Sequence, residues 1–120
     1  MTDKELFEKV KNHLLTQNAK SMYIPNSEIG TQACAYRGKE GKKCAAGCLI
    51  LDKFYTPELE GLGASHSLVT EALIQSRILP NQIVLVDRLE NIHDYSEPED
   101  WEEKLTLLEE NYFPSDCYSL

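Results

Sequence analysis

Apolar residues recur at three- and four-residue intervals near both ends of the chain, and this spacing predicts two amphipathic helices. The first helix follows Thr2 and Glu5, which have the spacing of a capping box, and it should cover residues 3 to about 17. The second follows Ser96 and Glu99, another pair with that spacing, and has a proline in its first turn. Each helix should turn one apolar stripe toward a shared core.

Shorter patterns fill the middle of the chain. A helix is predicted from Ser65 or Ser67 to about Arg77, because apolar residues follow the serines at helical spacing and Pro80 closes the segment. The run over residues 83–86 is rich in β-branched side chains, which favours a strand, but the apolar spacing continues beyond it at helical intervals. We therefore predict a helix there.

The segment from Cys34 to Asp52 is the chemically densest part of the chain. It holds three of the four cysteines and three of the six glycines. The glycines at positions 38 and 41 predict a tight β-hairpin, because glycine readily adopts the positive φ values that short loops require. Such a hairpin would bring Cys34 near Cys44.

A short helix is predicted after this hairpin. Cys44 and Cys48 would share one face of it, and Gly47 would let a neighbouring backbone approach closely. Together these elements predict an α+β fold of about four helices packed on a small β-hairpin or short antiparallel sheet. The chain should form a single domain over residues 1–120, with residues 113–120 as a loosely held tail.

The length and composition are those of an ordinary soluble protein. Hydrophobic residues make up 42% of the 120 residues, and no apolar run is long enough to cross a membrane. Since no leader-like segment is present either, we expect a cytoplasmic protein that does not bind membranes. A chain of this length can stabilise itself without disulfides, so the four cysteines are expected as free thiols or metal ligands.

The net charge of −8 is concentrated in the C-terminal third of the chain. Residues 87–120 hold 11 acidic and 2 basic residues, whereas residues 1–86 hold 9 acidic and 10 basic residues. An acidic field of this kind repels nucleic acid and attracts a basic partner, although most acidic surfaces serve only solubility. Nucleic acid is therefore not an expected partner. The sequence is compatible with a homo-oligomer.

One pattern spans nearly the whole chain. It runs Cys34-x-Tyr-Arg-Gly-x-x-Gly-x-Lys-Cys44-Ala-x-Gly-x-Leu-Ile, then Tyr55-x-x-x-Leu-Glu-Gly, then Leu89-x-x-Ile-His-Asp, and ends at Trp101. This pattern resembles a family of small uncharacterised proteins encoded by tailed bacteriophages and prophages. Members commonly have a proline directly before the aspartate, where this chain has Leu51. The family carries no established activity, so the resemblance implies a setting, the cytoplasm of an infected bacterium, rather than a chemistry.

Small accessory phage proteins often inhibit host defences, either by gripping a host protein or by sequestering a signalling nucleotide. By this analogy, our leading hypothesis is a non-enzymatic inhibitor that binds a host bacterial defence protein or a small anionic ligand such as a nucleotide. A small hydrolase of a nucleotide or phosphoester is the first alternative. A structural zinc-binding module is the second.

The hairpin and the His93–Asp94 pair supply the candidate binding residues. Basic side chains beside glycines with free N–H groups can hold phosphate or carboxylate, although exposed hairpins are often basic for solubility alone. The imidazole of His93 would cap a helix end or, beside a carboxylate, orient a ligand. The candidate ligand-binding residues are therefore Tyr36, Arg37, Lys42, Lys43, Asp52, Glu60, His93 and Asp94.

Three cysteines and one histidine offer the alternative of a zinc site. Thiolate and imidazole ligands suit zinc, and the alternative ligand set is Cys34, Cys44, Cys48 and His93. Only Cys44 and Cys48 approach the usual ligand spacing, and buried cysteines beside alanine and glycine pack as small apolar residues. We therefore expect no metal, no cofactor and no catalytic residue.

Overall fold

The computed structural model describes residues 1–23 and 33–113 of the chain. Five α-helices account for most of these residues: α1 (Asp3–Gln17), α2 (Ala45–Leu49), α3 (Ser67–Gln75), α4 (Ile83–Tyr95) and α5 (Pro98–Tyr112). Short 3-10 turns connect them at Lys39–Gly41, Asp52–Phe54, Pro57–Leu59 and Pro80–Gln82. No helix in these two ranges is long and apolar enough to span a bilayer. The predicted loose tail lies, from residue 114 onward, outside the described residues.

The predicted α+β class is wrong, because the described residues form a helical globule without a β layer. Extended pairing in these residues is limited to β1 (Met22–Tyr23) and β2 (Ala33–Cys34), two residues each. The predicted hairpin does not form: β2 pairs back with β1 instead of with the segment before Cys44, and residues 39–41 form a 3-10 turn. Gly38 and Gly41 are compatible with either a hairpin or a 3-10 turn, because the conformational freedom of glycine suits both.

The helix α1 confirms its prediction from the sequence. Thr2 Oγ1 accepts the Glu5 N–H at 3.1 Å, and the Glu5 carboxylate accepts the Thr2 N–H at 2.7 Å, which completes the capping box. Asn18 ends the helix in the left-handed conformation. The apolar stripe is fully buried and consists of Leu6, Phe7, Val10 and Leu14.

The helices α4 and α5 complete the core against α1. The helix prediction over residues 83–86 is confirmed, since α4 runs through this stretch and buries its apolar face. Trp101 of α5 is fully buried and stacks on the ring of His93, with 5.4 Å between the ring centroids. His93 is therefore a core residue at the C-terminal end of α4.

Two predicted helix starts differ from the structure in detail. The N-cap of α3 is His66, whose Nδ1 accepts the Leu68 N–H at 3.2 Å, in place of a serine. Ser96 does not cap α5, because its Oγ donates to Ile92 O at 2.5 Å in the preceding helix. Glu97 takes the N-cap position of α5, but its side chain does not accept a backbone N–H of that helix.

The helix α2 packs tightly on the segment that follows β2. A Cβ atom on Gly47 would overlap the carbonyl oxygen of Tyr36, which confirms the predicted close approach of two backbones. Cys44 is the N-cap, and its Sγ accepts the Gly47 N–H at 3.4 Å. The Tyr36 hydroxyl donates to Leu62 O. This hydrogen bond holds the loop after the Pro57–Leu59 turn against the segment that follows β2.

Candidate functional site

A pocket of about 400 Å³ opens between α4, the start of α2 and the segment that follows β2. Its far wall is the Gly61–Gly63 loop. Two carboxyl groups lie one helical turn apart on the α4 wall. We call this site the acidic pocket and define it by Cys34, Tyr36, Cys44, Leu62, Glu90 and Asp94.

His93 is fully buried behind the acidic pocket and holds Asp94 in place. The Ser21 N–H donates to His93 Nε2 at 2.9 Å, so the neutral ring carries its proton on Nδ1. Nδ1–H then donates to Asp94 Oδ1 at 2.8 Å, while stacking on Trp101 fixes the plane of the ring. His93 is therefore a positioning residue, and the Asp94 side chain that it orients remains 25% exposed.

Asp94 is the ionised carboxylate of the pocket. Burial acts to raise its pKa, but hydrogen bonds from His93, Glu90 and Cys34 outweigh burial and lower the pKa below its usual value. Lys20 lies near by, but its Nζ donates to the backbone oxygen of Asp94, at 3.3 Å. The carboxylate thus accepts hydrogen bonds from the protein and also lines the pocket.

Glu90 is the protonated partner of Asp94. Its side chain is buried, and its Oε1 accepts the Ala46 N–H at 2.8 Å. Burial, followed by the negative charge of Asp94, raises the pKa of Glu90 to about 8. At neutral pH the pair therefore holds one proton and one negative charge, as two carboxyl groups in one site generally do.

The two cysteines of the acidic pocket are thiols rather than nucleophilic thiolates. Burial and the charge of Asp94 raise the pKa of Cys34 to about 12, and burial and Glu90 also raise the pKa of Cys44. His93 cannot accept a thiol proton, because both of its ring nitrogens are engaged. The residue types of a Cys–His–Asp triad are present here without the hydrogen-bond order that activates a nucleophile.

Three residues of possible metal-ligand type lie close together here: Cys34, His93 and Asp94. One ligand atom from each lies within 4.8 Å of the others. A histidine that binds a metal normally donates its second ring N–H to an acceptor. Here Nε2 of His93 accepts the Ser21 N–H. If Nδ1 bound a metal, the ring proton would have to lie on Nε2, and this N–H would then face the Ser21 N–H. The histidine does not suit a metal, and Cys48 of the predicted ligand set does not line the pocket.

Arg37 belongs to the predicted ligand-binding residues, but its Nη1 and Nη2 donors bind groups of the protein itself. Nη1 donates to Gly47 O at 2.7 Å, and Nη2 donates to Ile50 O at 2.8 Å, both at the C-terminal end of α2. Nη2 also pairs with Asp52 Oδ1 at 2.9 Å, and the guanidinium lies 4.7 Å from the centroid of the Tyr55 ring. We call these contacts the Arg37 clip, and they cap α2.

Glu60 supports the Arg37 clip from the following loop. Its Oε1 accepts the Tyr36 N–H at 3.0 Å, and its Oε2 accepts the Arg37 N–H at 3.1 Å. The Tyr55 hydroxyl donates to the same Oε2 at 2.6 Å. With three donors on one carboxylate, Glu60 ties this loop to the segment that follows β2.

The predicted lysines lie at the surface beside the clip. Lys43 Nζ is 3.8 Å from Asp52 Oδ1, and Lys42 Nζ is 3.2 Å from Glu40 Oε1. Lys42 also borders an open groove of about 530 Å³ along α1, together with Lys9. Of the predicted site residues, the structure gathers one group at the acidic pocket, Tyr36, His93 and Asp94, and another at the clip, Arg37, Lys43, Asp52 and Glu60.

Glu90 supplies the carboxyl group of the pocket that the sequence pattern did not single out. A signal for it exists, because Glu90 follows Val86 by four residues and precedes His93 by three, which places it on the apolar face of α4. An acid on such a face is buried, and Asp94 one turn later adds a second carboxyl group to the same side. This combination marks a carboxyl pair with a perturbed pKa.

No protein-family model, curated protein or solved structure matches this chain. The resemblance to phage accessory proteins therefore stays a prediction.

Proposed function

We propose that this chain is a non-enzymatic binding protein whose acidic pocket receives a cationic, N–H-bearing group such as the guanidinium of an arginine side chain. The observation that carries the proposal is the Asp94 carboxylate, which His93 orients at the wall of a pocket of about 400 Å³. Among the described residues that line this pocket, none carries a positive charge. A guanidinium satisfies a carboxylate in such a site with two parallel hydrogen bonds.

Aromatic rings at the pocket support the same ligand class. Tyr36 and Tyr95 both line it, and a planar guanidinium stacks on rings of this kind. Tyr95 is 83% exposed, so its ring is accessible to a partner. Tyrosine is enriched at protein interfaces because it offers a large contact area together with a hydroxyl group.

The charge distribution of the chain favours a basic partner. The net charge is −8, and the acidic residues are concentrated after residue 86, in the part of the chain that includes α4 and α5. Such a field raises the rate at which cationic groups meet the surface, and it disfavours anionic ligands there.

A binding function fits the pocket better than the hydrolase alternative does. Hydrolysis by a covalent route requires an activated nucleophile with a base beside it. The pocket thiols have raised pKa values, and neither nitrogen of His93 is free to accept a proton.

The resemblance to phage accessory proteins implies that this protein acts in the cytoplasm of an infected bacterium. In a bacterial cell the basic group would belong to a host defence protein, most simply an arginine or lysine side chain on its surface. Insertion of that side chain into the acidic pocket would occupy a surface that the host protein needs, and this would inhibit it.

A second candidate function, sequestration of an anionic nucleotide, is favoured by the open groove along α1. This groove of about 530 Å³ is lined by Lys9, His13 and Lys42. Ammonium groups can hold a phosphate, although Lys42 already pairs with Glu40. Arg37 does not line this groove, and its Nη1 and Nη2 donors serve the clip.

Chemical-shift mapping on the ¹⁵N-labelled full chain tests both functions. N-acetyl-arginine amide is the cationic probe, N-acetyl-citrulline amide is its neutral isostere, and adenosine monophosphate is the anionic probe. We expect the arginine probe alone to shift the amides of Gly61, Gly63 and Tyr95. Equal shifts from the citrulline probe would contradict cation recognition. Shifts from adenosine monophosphate at Gly41 and Lys42 would instead favour the second function.

A further inference from the structure

The ring N–H of His93 is within hydrogen-bond distance of only one of the two carboxyl groups of the acidic pocket. His93 Nδ1 lies 2.8 Å from Asp94 Oδ1 but 3.8 Å from Glu90 Oε2, which is too far for a hydrogen bond. Asp94 therefore receives the imidazole donor. Glu90 is 7% exposed and has a backbone N–H on Oε1, from Ala46, at 2.8 Å.

The titratable and charged groups around Glu90 come from several segments. They are His93 and Asp94 on α4, Cys44 directly before α2 and Cys48 on it, Cys34 on β2, and Tyr36 in the segment after β2. Lys20 is the ammonium group near this cluster, but it donates to Asp94 O and pairs with Glu97 Oε2 at 3.4 Å. In the described part of the chain, a negative charge on Glu90 thus has no cation directed at it.

We propose that Glu90 gives up its proton when a cation occupies the acidic pocket, so that binding releases one proton and tightens as the pH rises. Because a cation must enter the pocket for this coupling to operate, the inference rests on the proposed function. The cation supplies the counterion that a second carboxylate lacks in the free protein. The proton passes from the Glu90 carboxyl group to the buffer, and no other covalent bond changes.

The direction of the pH dependence follows from the free protein. Burial and the charge of Asp94 hold the pKa of Glu90 at about 8, so below that pH the pocket offers one negative charge. Above about pH 8 it offers two. With one proton released, affinity should rise by up to about tenfold per pH unit below the pKa of Glu90 and level off above it.

Isothermal titration calorimetry with N-acetyl-arginine amide tests the coupling on the full chain. A guanidinium does not titrate between about pH 6 and pH 9, so any released proton comes from the protein. Near neutral pH, titrations in two buffers of different ionisation enthalpy should reveal close to one released proton per ligand, and affinity should rise about tenfold or more from about pH 6 to about pH 9. Glu90→Gln should abolish both effects. Glu103→Gln removes an exposed acid from α5 and should preserve both.

The outcomes separate the coupling from the proposed function. Wild-type binding of equal affinity at every pH would overturn the coupling alone. No binding at about pH 9, where both carboxyl groups are ionised, would overturn the proposed function and the coupling with it. The carboxyl ¹³C shift of Glu90 in the free chain gives a check that no variant can obscure: a midpoint near 8 supports the coupling, and one near the ordinary value of 4.5 refutes it.

Discussion

The Arg37 clip and the acidic pocket meet at Tyr36, and both remove charged groups from water, yet they do so with opposite results. The guanidinium of Arg37 uses four of its five N–H donors within the protein, three on carbonyl oxygens and one on Asp52. The carboxylate of Asp94 accepts hydrogen bonds from the protein but also lines a pocket. A charged group that lies against helix carbonyl oxygens stabilises the fold, whereas one that also lines a pocket can bind.

The largest expected effect is the loss of stability in Arg37→Ala. The substitution leaves the carbonyl oxygens of Tyr36, Gly47 and Ile50 without their donor, and we expect a loss of about 3 to 5 kcal/mol in the free energy of unfolding. Arg37→Lys should recover little, because an ammonium lacks the planar fork that reaches two carbonyls at once. Urea denaturation measures the change, with exposed Lys39→Ala as the matched control.

A loss below about 0.5 kcal/mol in Arg37→Ala would break the comparison, because surface substitutions without structural roles fall in that range. Arg37 would then be free to bind an anion, as the sequence first indicated.

The second effect is a pH dependence of stability that Glu90→Gln should remove. The pKa of Glu90 is raised in the folded chain, so its contribution to stability is fully present below about 4.5 and is lost as the pH rises toward about 8. Gln cannot ionise and still offers Oε1 to the Ala46 N–H. We expect the variant to avoid a loss of up to about 4 kcal/mol between these limits.

Thermal unfolding of wild type and Glu90→Gln at a series of pH values measures this difference. Asp94 has a lowered pKa and acts in the opposite sense at a lower pH, since its contribution is lost as the pH falls below its ordinary value of 3.8. Parallel curves for the two proteins between about pH 4.5 and pH 8 would mean that Glu90 is not the protonated member of the pair.

The smallest effect is expected at the surface lysines beside the clip. Lys42→Ala and Lys43→Ala each remove one ion pair whose acidic partner is more than four-fifths exposed. Stability should therefore change by less than about 0.5 kcal/mol, and binding of N-acetyl-arginine amide should not weaken. Denaturation and titration of the double variant measure both. A clear loss of arginine binding would place the cation site away from the acidic pocket.

The helices were the predictable part of the fold, and the reason is physical. In α1 and α4 the apolar spacing fixes which face is buried, and burial decides the structure even across the β-branched run over residues 83–86. The hairpin prediction failed because Gly38 and Gly41 permit several turn geometries, and only tertiary contacts select one. Gly38 shows this: a Cβ atom there would overlap Ser21, a residue that no local pattern connects to it.

The candidate site was predictable only in part. Tyr36, His93 and Asp94 were singled out by residue type, and the structure places them together. The role of Arg37 was not visible, because its partners are backbone carbonyls that no side-chain pattern reveals. Glu90 could have been found from its position on the apolar face of α4, one turn before Asp94, but its bond to the Ala46 N–H could not, because that partner is backbone from a distant segment.

The affinity of Asp94→Asn for N-acetyl-arginine amide shows whether Asp94 forms a cation-binding site. Asparagine keeps the size of the side chain and removes its charge. We expect affinity to fall by about tenfold or more at neutral pH, the effect of losing a hydrogen bond to a charged group. Asp100→Asn, an exposed acid on α5, should bind as the wild type does. Equal affinities for Asp94→Asn and the wild type would contradict the account.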